Sequence, residues 1–302
     1  MRIPKATLLG VFEPGSPQWD EARSGLTVTA TEAAAVVGLS PWTSPFSLWH
    51  HKAGTVARQV EPNAAMRWGN RLEPVIADAF AEAHPEFSVE TTGTWANGDR
   101  PWQRATPDRL LAPADGGPVR LLEIKTSRFG DGFGPADSDE VPVYYRCQVL
   151  WQLDTLSLSE ARVVVLIGGQ EEREYTIAYD AEEATYLREQ AANFLDGVRS
   201  GTPPPLDGTT VTYDTVRRLP DGVEDVVADI DPGVAEEYRA AVLAHRRAEE
   251  TKRRAAAAVL DAMGNAKKCA ADGRMVASRR TKPDGTTLAL TPNPTYLKAA
   301  AI

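Results

Sequence analysis

Two carboxylates and one lysine lie near one another in the middle of the sequence. Glu123 and Lys125 belong to the apolar run Leu121–Lys125, and Asp108 precedes Glu123 by fifteen residues. In a β-strand, Glu123 and Lys125 project from the same face. Two converging carboxylates suit a hard divalent cation such as Mg²⁺, and a lysine beside it can orient or deprotonate an attacking water. The pattern therefore indicates metal-assisted hydrolysis of a phosphodiester, because a bound metal acidifies water and neutralises charge on the phosphate.

Three further groups can complete this candidate site. The backbone carbonyl of Ile124 can add a ligand for the metal, and Glu73, on a predicted helix, can supply a third carboxylate. Gln148 lies on a second predicted helix, where its amide can hold a water molecule or a phosphate. Taken alone, Glu123 and Lys125 can also form an exposed ion pair on an edge strand. Likewise, Glu73 can be a solvated helix residue and Gln148 a surface or capping contact.

The elements that must position these groups follow from hydrophobic periodicity and from capping and breaking residues. Helices are predicted over residues 29–38, 44–53, 63–83, 143–156, 181–199 and 234–263, and strands over 87–91, 102–105, 119–126, 162–167 and 173–178. Pro74 lies inside the third helix, so a kink or break is expected near Glu73. This order of helices and strands indicates an α/β or α+β core.

The composition limits the classes of protein that the chain can be. Its 302 residues include 42% apolar residues, which is enough to bury a core and argues against a disordered protein. A formal net charge of −9 argues against general binding of polyanions. With only Cys147 and Cys269, a four-cysteine zinc or iron–sulfur site and a secreted disulfide framework are not expected. No segment approaches the roughly 20 apolar residues of a membrane span, so we expect a soluble, cytoplasmic protein that does not bind membranes.

Charge and composition divide the chain into three segments. We expect a catalytic domain over residues 1–200, a linker or surface loop over 201–232, and a long helix with a small hairpin over 233–302. Residues 171–240 hold 6 basic and 17 acidic residues, whereas residues 241–302 hold 12 basic and 5 acidic ones. The basic residues of the last helix can form a solvated face, or a surface that follows DNA or binds a partner.

The candidate residues, in this order, resemble a known family of nucleases. They are Glu73, Asp108, Glu123, Ile124, Lys125 and Gln148, preceded by Trp19, Arg23, Gly25 and the segment Val28–Thr31. The first six resemble the PD-(D/E)XK nuclease superfamily. The full set, spanning about residues 16–180, resembles more closely the phage lambda exonuclease and YqaJ-type viral recombinase family. The resemblance implies a restriction-endonuclease-like α/β core, with a central mixed sheet flanked by helices, followed here by a C-terminal helical extension.

The resemblance also implies a role for each residue of the candidate site. Asp108 and Glu123 would bind Mg²⁺ or Mn²⁺, and Glu73 would complete the metal site directly or through water. Lys125 would position and activate the attacking water. Gln148 would support that water or the backbone of the strand.

Substrate and partners follow from the same resemblance. Family members digest linear double-stranded DNA from 5′ to 3′ in recombination and act with a single-strand annealing protein, and some form a ring-shaped trimer around DNA. A phage-encoded member would act in the cytoplasm of its bacterial host. Arg23 and Thr31 occupy the places that lie near the 5′-phosphate, although the residues alone also allow Arg23 to pair with Glu21 or Asp20, and Thr31 to cap a helix. The competing hypotheses are an endonuclease or junction resolvase on the same fold, and a catalytically silent module that binds DNA ends.

Tryptophans also bear on nucleic-acid binding, because their rings can stack on bases. We expect Trp42, Trp49, Trp68 and Trp151 to be core aromatics rather than stacking platforms. The reason is that a large apolar ring gains most when it is buried against other side chains.

Overall fold

Most of the helices and strands that the sequence predicts around the candidate site are present in the computed structural model, which describes residues 3–57, 63–219 and 222–298. In chain order the elements are β1 (Ala6–Gly10), α1 (Pro17–Arg23), β2 (Val28–Thr29), α2 (Ala30–Val36), α3 (Pro45–Lys52), α4 (Ala64–Ala83), β3 (Phe87–Thr91), β4 (Thr94–Asn97), β5 (Gln103–Ala105), β6 (Arg109–Pro113), β7 (Arg120–Ser127), α5 (Val143–Leu156), β8 (Glu160–Ile167), β9 (Glu171–Ala178), α6 (Ala181–Ser200), α7 (Thr210–Val216), α8 (Pro232–Met263), β10 (Lys268–Ala271), β11 (Arg274–Thr281), β12 (Thr287–Pro292) and α9 (Pro294–Lys298).

The strand β7, which carries Glu123 and Lys125, is the middle strand of a five-stranded sheet with the order β3-β6-β7-β8-β9. It pairs antiparallel with β6 and parallel with β8, and the remaining pairs are antiparallel. The parallel pair requires a crossover, which α5 provides between β7 and β8. A mixed sheet with helices against it confirms the α/β fold with a mixed central sheet, and it excludes the edge-strand interpretation of Glu123 and Lys125.

Each face of this sheet is covered by a different helix. On one face, Phe80 of α4 belongs to a buried cluster with Leu122 and Ile124 of β7. On the other face, Trp151 of α5 belongs to the main core cluster together with Leu121. Because side chains alternate along a strand, Glu123 and Lys125 lie on the same side as Leu121, which is the side covered by α5.

A smaller four-stranded sheet, with the order β1-β4-β5-β2, contacts α5 as well. The indole Nε1 of Trp151 donates to the carbonyl of Arg104 on β5 at 3.0 Å. The side-chain amide of Asn97 on β4 donates to the carbonyl of Thr155 at 3.1 Å. The position of α5 relative to β7 is therefore fixed by two sheets.

The helix α4 continues through Pro74 without the break that the proline predicts. Asn63 caps its start, since its side chain accepts a hydrogen bond from the amide of Met66 at 2.9 Å. Ile76 and Phe80 follow Pro74 at helical spacing and are buried against the sheet. This burial stabilises the second half of the helix, whereas local sequence preference alone would allow the helix to end near Pro74.

The segment 201–232, expected to be a linker or surface loop, contains the helix α7. Thr212 and Thr215 of this helix are buried against α3. The hydroxyl of Thr212 donates to Ser44 at 2.6 Å, and the hydroxyl oxygens of Thr215 and Ser47 lie 2.8 Å apart. The Pro- and Thr-rich composition of this segment does not predict a helix, because α7 is stabilised by contacts with the distant helix α3. Residues 220–221 of the expected linker lie outside the described residues.

The chain divides into two compact units, Met1–Val223 and Glu224–Ile302. The second unit contains α8 and a three-stranded sheet with the order β10-β11-β12, in which β11 and β12 form the expected hairpin. The guanidinium of Arg279 on β11 donates to the carbonyl of Gly264 at 2.8 Å and so caps the end of α8. Residues 1–2 and 299–302 of the expected terminal segments lie outside the described residues.

Candidate active site

Glu123 and Lys125 form a buried ion pair on the face of β7 that α5 covers. The ammonium of Lys125 donates to Oε1 of Glu123. Glu123 is 1% exposed, so its carboxylate depends on protein partners to replace water. The i,i+2 spacing on one strand brings these two side chains together.

Asp108 joins this pair from the turn that precedes β6. Arg109, the next residue, pairs with Leu122 of β7, so Asp108 lies across from Glu123. Oδ2 of Asp108 accepts a hydrogen bond of 2.7 Å from the backbone amide of Ile124. The structure thus brings together the two carboxylates and the lysine that the sequence analysis selected.

Two glutamines of α5 complete the surroundings of the Glu123 carboxylate. The side-chain amide of Gln148 donates to Oε1, and that of Gln152 donates to Oε2 at 2.9 Å. The two glutamines are four residues apart and therefore share one face of the helix. Gln148 thus contacts the Glu123 carboxylate, and its expected role in supporting the attacking water or the strand backbone stays a prediction. Gln152, which is fully buried, was missed, although its spacing from Gln148 on a predicted helix could have indicated it.

Glu73 lies on α4 and is connected to the site through an arginine. Its Oε1 accepts a hydrogen bond of 2.7 Å from the guanidinium of Arg109, and the same nitrogen donates to the backbone carbonyl of Asp108 at 2.6 Å. In this structure Glu73 is therefore the partner of a cation, and its expected role as a metal ligand stays a prediction. Arg109 was missed, because its reach to α4 depends on the packing of that helix.

The charges at the site perturb the pKa values of Asp108 and Lys125. Desolvation and the neighbouring carboxylates of Glu123 and Glu73 raise the pKa of Asp108 well above its usual value, although Lys125 opposes this. Burial by itself would lower the pKa of Lys125, but the carboxylates of Glu123 and Asp108 outweigh burial and raise it. Lys125 therefore favours its ammonium form, which donates a hydrogen bond to Glu123, and its expected role in positioning and activating water stays a prediction.

The donor set suits a hard divalent cation held mainly by two carboxylates. Neighbouring carboxylates are stabilised when a cation is placed between them, because the cation offsets their mutual repulsion. Mg²⁺ is commonly held by one or two carboxylates while it keeps several waters, which matches Asp108, Glu123 and the carbonyl of Ile124. Within residues 3–57, 63–219 and 222–298, no group of three or more His, Cys, Asp or Glu side chains is arranged to hold a metal.

Arg23 and Thr31, the residues expected near a 5′-phosphate, are joined to each other and to the segment before Asp108. The guanidinium of Arg23 donates to the hydroxyl of Thr31 at 3.1 Å and to that of Thr106 at 3.1 Å. Thr31 lies inside α2, whose N-cap residue is Thr29, so the interpretation of Thr31 as the cap is wrong. Thr106 is a further residue that the sequence analysis did not assign.

The four tryptophans that were expected to be core aromatics divide into a buried and an exposed pair. Trp49 and Trp151 are core residues, as expected. Trp42 and Trp68 are 61% and 57% exposed, so their expected burial is wrong. Both exposed rings contact neighbouring side chains, Trp42 the ring of Tyr144 and Trp68 the guanidinium of Arg71.

Two comparisons extend these observations to other proteins. Residues 18–158 match the family described as YqaJ-like viral recombinase domain. A curated relative, the uncharacterized protein YqaJ of Bacillus subtilis, is 26% identical over 201 residues, which are 66% of this chain and 61% of that protein. The chain thus spans about three fifths of the length of this relative.

Solved structures with a related chain path include two exonucleases. An alkaline exonuclease from Laribacter hongkongensis has a TM-score of 0.48 and 18% identity, over 62% of this chain and 94% of that chain. A phage related exonuclease from Haemophilus somnus has a TM-score of 0.44 and 11% identity, over 58% of this chain and 96% of that chain. In the part of the chain that the structure describes, no helix combines the length and the apolar character needed to cross a membrane.

Proposed function

We propose that this protein is a metal-dependent DNA exonuclease, and the match of residues 18–158 to the YqaJ-like viral recombinase domain supports this proposal. The observation that carries the proposal is the convergence of Asp108, Glu123 and Lys125 on one face of the central strand. Two carboxylates and an ammonium at one point suit the hydrolysis of a phosphodiester, whose transition state gains negative charge on oxygen. The substrate would be linear double-stranded DNA, digested from 5′ to 3′.

The metal in this proposal is Mg²⁺ or Mn²⁺. Asp108, Glu123 and the carbonyl of Ile124 would hold it, and Glu73 would contribute directly or through water once it leaves Arg109. When bound, such an ion supplies polarisation of the phosphate and neutralises part of its charge.

The chain's own residues have three tasks in this reaction. The Lys125 ammonium donates hydrogen bonds toward the phosphate oxygens and the attacking water, and thus sets their positions relative to Glu123. Gln148 and Gln152 hold the Glu123 carboxylate in one orientation, which limits the cost of reorganisation during the reaction. Burial of Glu123 excludes bulk water from this side of the site.

Recognition of the DNA end is assigned to Arg23 and Thr31. The planar guanidinium of Arg23 suits a terminal phosphate, because it can donate two parallel hydrogen bonds to phosphate oxygens. Its contact with Thr106, two residues before Asp108, connects the end-binding group to the catalytic turn. A 5′-phosphate bound here would be held beside the reacting phosphodiester.

Three further properties of the proposal come from the family resemblance alone. They are action with a single-strand annealing protein, assembly as a ring-shaped trimer around DNA, and location in the bacterial cytoplasm. All three remain predictions for this chain.

A digestion assay with end-labelled linear duplex, with and without Mg²⁺, tests reaction, metal and direction together. We expect products only with the metal, released from the 5′-labelled end first. Asp108→Ala, Glu123→Ala and Lys125→Ala should each abolish digestion while the fold, followed by circular dichroism, is retained. Full activity in all three variants would refute the proposal. Cutting of a closed circular duplex would instead favour an endonuclease, and tight end binding without product would favour a silent binding module.

A further inference from the structure

Three aromatic side chains, Trp42, Tyr144 and Tyr145, extend from the candidate active site to the protein surface, and we refer to them as the aromatic group. The ring centroid of Tyr145 lies 5.0 Å from Nζ of Lys125. The ring of Trp42 lies 6.1 Å from that of Tyr145 and meets the ring of Tyr144 edge-on at 4.9 Å. Lys125 is thus two ring contacts away from an exposed indole.

Trp42 is exposed and yet held in place. It is 61% exposed, whereas Trp95 and Trp151 of the same unit are 4% and 1% exposed. The hydroxyl of Ser40 accepts hydrogen bonds from the amides of Trp42 at 3.2 Å and Thr43 at 3.3 Å, which fixes the loop before α3. Because this positioned ring also contacts the two tyrosines next to Lys125, it offers an exposed flat surface to a ligand that is bound at the candidate site.

The chemistry around the aromatic group specifies that ligand. A flat aromatic surface binds a flat partner by stacking, and the ammonium of Lys125 next to it attracts an anion. A nucleotide within a DNA strand has both features, because each base is attached through its sugar to a phosphate. Base stacking on aromatic side chains requires no particular base, which suits an enzyme that digests DNA of any sequence.

The geometry points to the aromatic group as a stacking platform for a base of the DNA strand whose phosphate lies at Lys125. This inference rests on the proposed nuclease function. A stacked strand rises about 3.4 Å per nucleotide. The two contacts of 5.0 and 6.1 Å between Lys125 and Trp42 therefore place the stacked base within roughly three nucleotides of that phosphate. Unpaired from the partner strand and stacked on the aromatic group, this base would keep the end of the duplex open at the site.

Binding without catalysis tests the platform separately from the reaction. Fluorescence anisotropy in EDTA measures the affinity of the full chain for a labelled single-stranded oligonucleotide of thymidines. We expect Trp42→Ala to weaken binding by about tenfold, and Trp42→Phe to retain most of the affinity because it keeps a stacking ring. Tyr186→Ala is the matched control, since Tyr186 on α6 is 54% exposed and should leave the affinity unchanged.

An oligonucleotide with abasic sites in place of thymidines separates stacking from other effects. If Trp42 stacks on a base, the wild-type protein loses affinity for abasic DNA, and Trp42→Ala causes no further loss. Equal binding of the thymidine oligonucleotide by the wild-type protein and Trp42→Ala would overturn the inference, as would a loss that persists on abasic DNA or no binding by the wild-type protein. A Trp42-dependent affinity in a protein that digests no DNA would support the platform and refute the nuclease. If the protein digests DNA but Trp42→Ala binds the oligonucleotide as tightly as the wild-type protein, the nuclease is supported and the stacking platform is refuted.

Discussion

The carboxylate of Asp108 accepts a hydrogen bond of 2.7 Å from the backbone amide of Ile124. This bond joins the turn before β6 to the strand residue that lies between Glu123 and Lys125. The position of one carboxylate is thereby set by the backbone that carries the other two groups. The three groups keep their spacing as long as β6 and β7 remain paired, so the candidate site is built into the centre of the sheet.

We expect Asp108→Asn to reduce DNA digestion by about 100-fold or more, because it removes a negative charge from the proposed metal site. The asparagine oxygen can still accept the hydrogen bond from Ile124, so the free energy of unfolding should change by no more than about 1 kcal/mol. Digestion rates and urea unfolding measure the two effects. Asp115→Asn is the control, since Asp115 also accepts a backbone hydrogen bond, from Gly117 at 2.9 Å, but in the exposed turn between β6 and β7. Wild-type rates in Asp108→Asn would contradict the assignment.

Gln152→Leu should lower both activity and stability. It removes the amide that donates to Oε2 of Glu123 at 2.9 Å and leaves a buried carboxylate oxygen without that partner. We expect a loss of about 10- to 100-fold in digestion rate, since the orientation of Glu123 is no longer fixed. The free energy of unfolding should fall by about 1–3 kcal/mol. Gln170, which is exposed, provides the control, since Gln170→Leu should change neither the digestion rate nor the free energy of unfolding. An unchanged digestion rate in Gln152→Leu would contradict a role of Gln152 in the site.

Arg23→Gln should abolish a preference for phosphorylated ends. If Arg23 binds the terminal phosphate, the wild-type protein digests a 5′-phosphorylated duplex about tenfold faster than a 5′-hydroxyl duplex, as expected for a charge-assisted hydrogen bond. In Arg23→Gln the two rates should become equal. Arg199→Ala, which removes a half-exposed arginine paired with Asp196 on α6, should keep the wild-type ratio. Equal rates on both ends with the wild-type protein would exclude the role.

His84 should make the stability of the first unit depend on pH. Partial burial by itself would lower the pKa of His84, but its hydrogen bonds to Glu174 and Glu86 outweigh burial and raise the pKa above 6.5. Nε2 of His84 contacts Oε1 of Glu174 at 2.9 Å, and Nδ1 contacts Oε1 of Glu86 at 3.0 Å. Because the folded pKa is raised, the stabilisation is fully present below pH 6.5 and is lost as the pH rises through the folded value.

The variant His84→Phe keeps the ring that stacks on Phe80 and removes both hydrogen bonds. We expect the wild-type protein to exceed it in free energy of unfolding by about 1 kcal/mol at pH 5.5 and by less at pH 9. Urea unfolding at the two pH values measures the difference. A gap that is the same at both values, or larger at pH 9, would show that protonated His84 does not stabilise the fold.

Local sequence patterns were sufficient for two of the elements that carry the candidate site, α5 and β7. The helix α5 was predicted with the bounds that it has, Val143–Leu156, and β7 was predicted within one residue at each end. Both have strong local signals, namely an apolar run and, for β7, the alternation of apolar and charged side chains from Leu122 to Lys125. The strand β6, whose pairing with β7 brings Asp108 next to Glu123, was not predicted from the sequence.

Contacts between distant elements could not be predicted from local patterns. Gln152 reaches Glu123 because α5 packs on one face of the sheet, and Arg109 reaches Glu73 because α4 packs on the other. The two-residue strand β2 forms by parallel pairing with β5, which is about 75 residues away and leaves no periodic signal. The exposure of Trp42 was not expected. An apolar side chain predicts burial from sequence alone, even where the ring lies at the surface and could bind a ligand.

The hydroxyl contacts between α3 and α7 have a consequence for the order in which the first unit forms. Ser44 and Thr212 are 168 residues apart, as are Ser47 and Thr215. During synthesis α3 leaves the ribosome long before α7 exists, so Ser44 and Ser47 cannot contact Thr212 and Thr215 until nearly the whole unit has been made. Contacts of such high sequence separation slow folding, since the entropy of a long loop must be lost before they form. Folding of the first unit is therefore completed only when α7 packs against α3. A chain that ends at residue 200 could not form this contact.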